Sequence, residues 1–285
     1  MQLLISDSNC IYENLAIEDY ILRHTNFLNH TLLIYVNSPS MVVGRFQNPW
    51  RECSQIVFNR HEIKLARRQS GGGTVYHDDG NINFCLFQKN RLVDKKILLN
   101  WIIDFFAKRD VRIKMNDRFD LMVPFQGSEF KVSGSAYKQT KEGSFHHCTL
   151  LVDAKIDLVK NYLHHNFEFE FSSKSIPSVR SPVMNLNQIK SSLTVSFLLN
   201  LMKDEFSSQL IHPTKIIDEH AQTFAFYKKM QSFDWILGET PDFVATRENI
   251  NGQAEMFKVS GGKLTEASNL KCAPNLGQWF NPSLY

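Results

Sequence analysis

Along the chain, segments with an apolar stripe at helical spacing alternate unevenly with short apolar runs that read as strands. Glu13 to His24 carries Leu15, Ala16, Asp19, Tyr20 and Leu22 at helical spacing, and Leu32 to Val36 follows as a buried strand. Met41 to Arg45 predicts a second strand. Asn48 before Pro49 predicts a helix start: Asn accepts from orphan N–H groups, and proline at the first helical position loses no hydrogen bond. Cys53, Ile56, Val57 and Arg60 continue that helix. Ile63 to Arg68 and Asn81 to Gln88 predict strands, and Asp94 to Lys108 predicts a helix whose Ile97, Leu98, Trp101, Ile102 and Phe105 form one stripe. Strands are expected over Val111 to Met115, Phe119 to Val123, Glu129 to Tyr137 and Phe145 to Val152.

Ile156 to Tyr162 is a short helical pattern, after which His164 to Asn185 is polar and irregular, with Pro177 and Pro182. A loop of that length inside a compact domain is ordinarily functional. Leu193, Phe197, Leu198, Leu201, Met202 and Phe206 mark another amphipathic helix, and Phe224 to Met230 a last one. From Trp235 onward, short strands with turn signals at Asn251-Gly252 and Gly261-Gly262 predict a small C-terminal module. This order predicts an α+β fold with a mixed β-sheet flanked by helices, divided into a domain over 1–230 and an accessory domain over 231–285.

The 285 residues, 43% hydrophobic and 12% aromatic, suffice for a large core. A net charge of +3 is dispersed, without the basic runs that mark nucleic-acid arms or anionic-membrane patches, so neither nucleic acid nor membrane is expected as a partner. The apolar runs fall far short of the roughly 20 residues of a membrane-spanning helix. Cys10, Cys53, Cys85, Cys148 and Cys272 are widely spaced and never in C-x-x-C, which fits a reduced compartment and argues against structural zinc.

Candidate chemistry concentrates in Arg67-Arg68-Gln69-Ser70-Gly71-Gly72-Gly73-Thr74-Val75-Tyr76-His77-Asp78. Consecutive glycines let backbone N–H groups approach an anion, and guanidinium offers a fork of donors matched to phosphate or carboxylate. The G-x-x-x-x-G-K-[ST] phosphate loop is absent: at Ser260-Gly261-Gly262-Lys263-Leu264-Thr265, Phe257 stands where the first Gly belongs. In Phe130-Lys131-Val132-Ser133, alternation puts Lys131 and Ser133 on the face opposite Phe130 and Val132, aimed at a ligand or, equally by pattern, at solvent. His146-His147-Cys148 suggests metal ligands or a Cys nucleophile with a His base, but alternation separates His147 from Cys148 and favours a core cysteine beside a hydrogen-bonded histidine. In the turn His77-Asp78-Asp79-Gly80-Asn81, His77 and Asn81 either orient the Gly-rich loop or touch its ligand.

Arg67 to Asn81, together with Asn48-Pro49-Trp50-Arg51-Glu52-Cys53, Lys131-Val132-Ser133-Gly134-Ser135-Ala136, Phe145-His146-His147 and Ser178-Val179-Arg180-Ser181, resembles the lipoate-protein ligase A and lipoyltransferase family, in register from about Ile5 to about Leu237. The resemblance implies a fold similar to biotin protein ligases. It also implies transfer of lipoic acid, through lipoyl-AMP, to a lysine of apo lipoyl domains of 2-oxoacid dehydrogenases or of the glycine-cleavage H protein. ATP or lipoyl-AMP would be substrate, Mg2+ would accompany ATP, and no structural metal is implied. By matched position, Arg68, Gly73, Thr74, Val75, Tyr76 and Asp120 bind the adenylate, and Lys131 contacts both the lipoyl carbonyl and the α-phosphate. Gly71, Gly72, His77, Asn81 and His147, with Lys131, line the lipoyl pocket, and Asp157 to Val183 corresponds to a loop that folds over the adenylate.

Two features qualify the match. The C-terminal module, from about Phe233, is shorter than in the full-length ligases, which leaves a transferase without ATP-dependent activation open. Asn37-Ser38-Pro39-Ser40, Gly80-Asn81-Ile82-Asn83 and His146-His147-Cys148-Thr149 are more similar to animal lipoyltransferases, implying the mitochondrial matrix, although no Arg- and Ser-rich presequence precedes Leu3. Val132 to Tyr137 and Ser178 to Ser181 are also similar to bacterial ligases, for which a bacterial cytoplasm is the alternative. Competing readings are a thiol-dependent octanoyl or lipoyl transferase using Cys148 and a non-catalytic lipoyl-domain-binding module.

Overall fold

The structure is a computed structural model and describes residues 1–24, 30–59, 62–89, 92–249, 251–268 and 275–282. In chain order its elements are β1 (Gln2–Ser6), α1 (Ile11–His24), β2 (Thr31–Val36), β3 (Ser40–Val43), α2 (Pro49–Glu52), α3 (Gln55–Asn59), β4 (Lys64–Arg67), β5 (Val75–His77), β6 (Asn81–Gln88) and α4 (Lys95–Ala107). There follow β7 (Lys114–Met115), β8 (Leu121–Phe125), β9 (Ser128–Ser133), β10 (Ser135–Gln139), β11 (Ser144–Leu151), α5 (Ile156–Tyr162), β12 (Glu170–Ser173) and α6 (Val195–Glu205). The last are β13 (Ser208–Ile211), α7 (Pro213–Glu219), α8 (Ala221–Gln231), α9 (Phe233–Ile236), β14 (Phe243–Glu248), β15 (Ala254–Ser260) and β16 (Lys263–Ala267). They pack as two units interleaved along the chain, one from 1–40, 77–159 and 179–227, the other from 41–76, 160–178 and 228–285.

The first unit is built on a six-stranded sheet of order β10-β11-β6-β2-β1-β13. Its β1 pairs in parallel with β2 and β13, whereas β2, β6, β11 and β10 pair antiparallel in turn, so the sheet is mixed. Central β6 is buried along its whole length because helices cover both faces. Phe84 and Leu86 pack on one face against Leu98, Leu99, Ile102 and Phe106 of α4, whose first turn is capped by the Asp94 side chain accepting from Lys96 N. Cys85 and Phe87 pack on the other face against Ala16, Ile17 and Ile21 of α1. Phe84 is fully buried, so truncation to alanine costs about 3–5 kcal/mol. A small sheet, β7-β8-β9, contributes Leu121, Val123 and Val132 to the same core as α4.

The second unit contains the sheet β12-β14-β15-β16 and a ring cluster in which Trp50, Phe169 and Phe257 surround the buried Phe280 at centroid distances of 5.7, 6.0 and 6.3 Å. The hairpin turns fall where the glycines predicted them: Gly252 has φ 71°, and Gly261 and Gly262 have φ 55° and 72°. The C-terminal strands share this unit with the Gly-rich loop.

Most predicted elements are present within a few residues, and three expectations are corrected. Glu129 to Tyr137 is two strands, because the pairing partner changes at Gly134: β9 pairs with β8, and β10 with β11. The helix from Pro49 breaks at Cys53, whose backbone is extended at φ −114° and ψ 150°, and α3 restarts two residues later; Arg60 lies outside the described residues. The stretch His164 to Asn185 contains a strand, β12, paired with β14. Strands β1, β5 and β13 and helices α7 and α9 are not anticipated by the sequence pattern.

Candidate functional site

The Gly-rich loop joins β4 to β5 within the second unit. Arg68, buried at its start, folds its guanidinium back on the loop: Nη2 donates to Gly71 O at 2.6 Å and Gly73 O at 2.7 Å, Nε to Ser70 Oγ at 3.0 Å, and Nη1 to Val42 O at 3.0 Å. This fixes the peptide planes of the loop by its carbonyls. Among the described residues, the amide N–H groups of Gly71, Gly72 and Gly73 donate to no protein acceptor, so three consecutive donors remain for a ligand. Gly72 has φ 86°, and its carbonyl lies 2.2 Å from where a Cβ on Gly44 would stand, so the close approach requires glycine at 44.

The next amide is already engaged. Thr74 N donates to Ser178 Oγ at 2.9 Å, and Thr74 Oγ1 donates to Gln47 Oε1 at 2.8 Å. Ser178 Oγ also accepts from Gln47 Nε2 at 3.1 Å and donates to the buried carboxylate of Glu52. Ser178, recognised in sequence as part of a motif, thus ties residues 160–178 to the loop. Val75 is half-buried, and the buried Tyr76 ring lies 5.6 Å from that of Tyr162.

Arg67 corrects the expectation of two guanidiniums aimed at an anion. It is fully buried, and its donors go to the carbonyls of Ile236 (2.9 Å), Gly44 (3.1 Å), Arg45 (3.0 Å) and Gln47 (2.9 Å) and to Thr240 Oγ1 (2.8 Å). Trp235 Nε1 returns a bond to Arg67 O at 2.7 Å. Burial lowers its pKa to about 9, an effect that the converging carbonyl dipoles oppose. Arg67 is therefore a framework residue joining the loop's base to residues 235–240.

In the first unit, Lys131 lies on β9, with Phe130 and Val132 packed into the core on the opposite face as alternation predicts. Its Nζ is 2.8 Å from Asp120 Oδ1, with side-chain exposures of 18% and 8%, so this is a largely desolvated pair. Asp120 is set by a turn in which Asn116 Oδ1 accepts its N–H at 2.9 Å and Phe119 takes φ 62°. Lys131 N donates to Pro182 O at 2.9 Å and Met184 N to Lys131 O at 3.1 Å, so residues 182–184 run beside it. A Cβ on Gly134 would stand 3.3 Å from Lys131 Cε and Nζ; glycine there leaves the ammonium its room.

The face of the main sheet turned to α1 carries Asn81, Asn83 and Cys85 of β6, Tyr35 of β2 and His147 of β11, aligned by register. His147 Nδ1 lies 3.0 and 3.2 Å from the two oxygens of Glu18, and Tyr35 Oη donates to Glu18 Oε1 at 2.9 Å. Asn81 Nδ2 donates to Asn83 Oδ1 at 3.1 Å, while the buried Asn81 Oδ1 has no partner among the described residues, an acceptor left for a ligand. His77 Nδ1 is 2.9 Å from Asn37 Nδ2, and Asn37 Oδ1 accepts from Asn14; the amide therefore donates and the His77 proton sits on Nε2.

Cys148 points to the opposite face and lies in the core cluster with Leu150 and Val152. Burial pushes its thiol up to about 12, which removes the thiolate that a nucleophile requires. His146 shares that face, is fully buried without a hydrogen-bond partner on either ring nitrogen among the described residues, and is pushed down to about 3 by burial and then by His147 and Lys95. Cys10, Cys53, Cys85 and Cys148 are not in disulfides; Cys272 lies outside the described residues. Among the described residues, no helix is long and apolar enough to cross a membrane. Sequence reasoning missed Glu18, Tyr35 and Gln47. A carboxylate within an amphipathic helix reads as its solvent face, and only the tertiary pairing with His147 marks Glu18 out.

A family model described as the lipoyl protein ligase A/B catalytic domain matches residues 10–207. Among solved structures, P. falciparum LipL1 in complex with lipoate superposes with a TM-score of 0.69 at 22% identity, covering 93% of this chain and 83% of that one. The bipartite lipoate protein ligase from Thermoplasma acidophilum, studied with its E2 lipoyl domain, gives 0.63 at 19% identity over 82% and 95% of the two chains. A lipoate-protein ligase A bound with ATP gives 0.58 at 19% identity over 80% and 92%. These likenesses show a shared α+β fold.

Proposed function

As a member of the lipoyl protein ligase A/B catalytic-domain family, the chain carries, we propose, a protein-lipoylating activity in which lipoate passes through lipoyl-AMP to a lysine of an apo lipoyl domain. The observation that carries this reading is the row of amides at Gly71, Gly72 and Gly73 that donate to no acceptor among the described residues, in a loop held in place by Arg68. Such donors stabilise negative charge growing on a phosphoryl group, and they are worth most when they need no reorganisation. We assign adenylate binding to this loop, with Thr74, Val75 and Tyr76, and to Asp120 and Lys131. Arg68 acts through the carbonyls it holds. Lys131, a largely desolvated cation paired with Asp120, supplies positive charge to the α-phosphate and the lipoyl carbonyl when acyl transfer occurs. Asn81, His77 and His147 are assigned to the acyl group, the unsatisfied Asn81 Oδ1 supporting a ligand there.

Similar structures that hold lipoate or ATP, and a similar ligase described with its E2 lipoyl domain, support lipoic acid, ATP and lipoyl domains as partners of this chain. Mg2+ with the ATP, and lipoyl domains of 2-oxoacid dehydrogenases or the H protein as the acceptors, complete the proposal on the sequence resemblance alone. A functional division at 230/231 and a mitochondrial-matrix location belong to the same reading, the latter on motif likeness alone. The test is release of AMP from preformed lipoyl-AMP. Release that depends stoichiometrically on an apo lipoyl domain is expected; release independent of any acceptor, or none at all, would contradict the proposal.

A further inference from the structure

We propose that Glu18, Cys85 and His147 form a binding site for a borderline-soft divalent cation, with zinc as the representative ion. The three residues come from α1, β6 and β11, and one ligand atom from each lies within 4.8 Å of the others. All three are buried, and Cys85 and His147 are opposite each other in the β6–β11 register, so the core of the unit holds the arrangement. Zinc takes carboxylate oxygen, thiolate sulfur and imidazole nitrogen at bonds of about 2.0–2.3 Å, which sets donors about 3.5 Å apart. His147 Nδ1 and the Glu18 oxygens, at 3.0 and 3.2 Å, already meet that spacing, and any closure from within 4.8 Å falls to the Cys85 sulfur. The thiolate and imidazole disfavour magnesium and calcium.

Charge supports the assignment. A dication held by the Glu18 carboxylate and the Cys85 thiolate is neutral overall, so burial of the complex carries no net charge. Burial, and then Glu18, push the Cys85 thiol up, so in the free chain it is protonated. On binding, the S–H bond breaks, the S–Zn bond forms, and the proton leaves to solvent, the cation itself supplying the charge that holds the thiolate. Tyr35 Oη, 2.9 Å from Glu18 Oε1, is the outer hydrogen bond that orients the carboxylate. Of these three residues sequence reading singles out only His147, within His146-His147-Cys148; the expectation of no structural zinc rests on the wide spacing of the cysteines and the absence of C-x-x-C, and positions 18, 85 and 147 match no ligand motif. The consequence rests on the proposed function: His147 belongs to the acyl-binding face, so cation and acyl group exclude each other.

The experiment is cobalt titration of the metal-free full chain, read by thiolate-to-cobalt charge-transfer absorption and followed by zinc displacement. One equivalent is expected. Cys85→Ala should abolish the absorption, Glu18→Gln should weaken binding by about 100-fold, Tyr35→Phe by about tenfold, and Cys10→Ser should leave it unaltered. Circular dichroism identifies any variant that has not folded. A folded wild-type chain without the absorption, or an absorption that survives Cys85→Ala, overturns the site. Saturating zinc should weaken lipoyl-AMP binding by at least about tenfold in the wild type and not in Cys85→Ala; unaltered wild-type affinity overturns the exclusion. The cobalt readout needs no lipoate, so it stands or falls separately from the lipoylation reading.

Discussion

Lys131 Nζ lies 2.8 Å from Asp120 Oδ1, and Gly134 leaves the ammonium just enough space to stay there. Lys131 lies on β9 of a small sheet whose other face is core, and Asp120 ends the turn that leads into the neighbouring β8, so packing and the turn fix the pair rather than the lysine's flexible stem alone. A desolvated cation held ready in this way needs no reorganisation when negative charge develops nearby.

Lys131→Met should therefore lower the rate of lipoyl transfer by about 10²–10³-fold. It also leaves the Asp120 carboxylate buried without its partner, at a cost of about 3 kcal/mol. The double variant Lys131→Met with Asp120→Asn should recover most of the stability and none of the rate. Urea midpoints and single-turnover kinetics separate the two effects; recovery of rate in the double variant would show that Lys131 acts only structurally.

Arg67 and Arg68 are neighbours with different duties. Arg67→Met removes the donors for four carbonyls and a hydroxyl in the buried base of the loop, so a loss of stability of about 3–5 kcal/mol is expected. Arg68→Lys keeps the charge but has one nitrogen in place of three, so it cannot hold Gly71 O and Gly73 O together with Ser70 Oγ and Val42 O; it should weaken lipoyl-AMP binding while leaving the melting temperature within a few degrees. Calorimetric scans and equilibrium binding on both variants would show the contrast.

Cys148→Ala should retain lipoyl transfer within about twofold, at a stability cost of about 1 kcal/mol for the small void. Its thiol is buried and its pKa is about 12. Loss of transfer in a folded Cys148→Ala protein would restore the thiol-dependent mechanism.

His146 makes the fold acid-sensitive. Its folded pKa is depressed from 6.5 to about 3, so between those values the unfolded chain binds a proton that the folded chain does not. Stability then rises with pH through that window, which means it is lost progressively as pH falls below about 6.5 and levels off near 3. His146→Leu removes the titrating group and two unsatisfied nitrogens, so its urea midpoint should fall less than the wild type's between pH 7 and pH 4. An equal fall in both would contradict the assignment.

The sequence reveals elements whose periodicity matches their burial. β6 reads as a strand because every position is apolar or short and polar, and it is buried on both faces. Alternation alone also places Lys131 on the face opposite Val132 and His147 on the face opposite Cys148. The break at Gly134 is invisible because the alternation of Phe130 to Tyr137 continues through it while the hydrogen-bonding partner changes. α7 escapes because Pro213 to Glu219 has few apolar residues, two of them the adjacent Ile216 and Ile217. In the site, the glycines and lysine are legible as types, but the division of labour between Arg67 and Arg68 depends on Ile236 and Thr240, which are 169 and 173 residues away from Arg67. Glu18 becomes visible only when α1 is laid against His147.

The most direct test of the lipoylation claim is the intact mass of an apo lipoyl domain after incubation with this protein and preformed lipoyl-AMP, with and without enzyme, followed by mapping of the modified residue. One lipoyl group per domain is expected, on a single lysine, only in the presence of the enzyme and strongly reduced with Lys131→Met. An unchanged mass with both a lipoyl domain and an H protein as acceptor would contradict it.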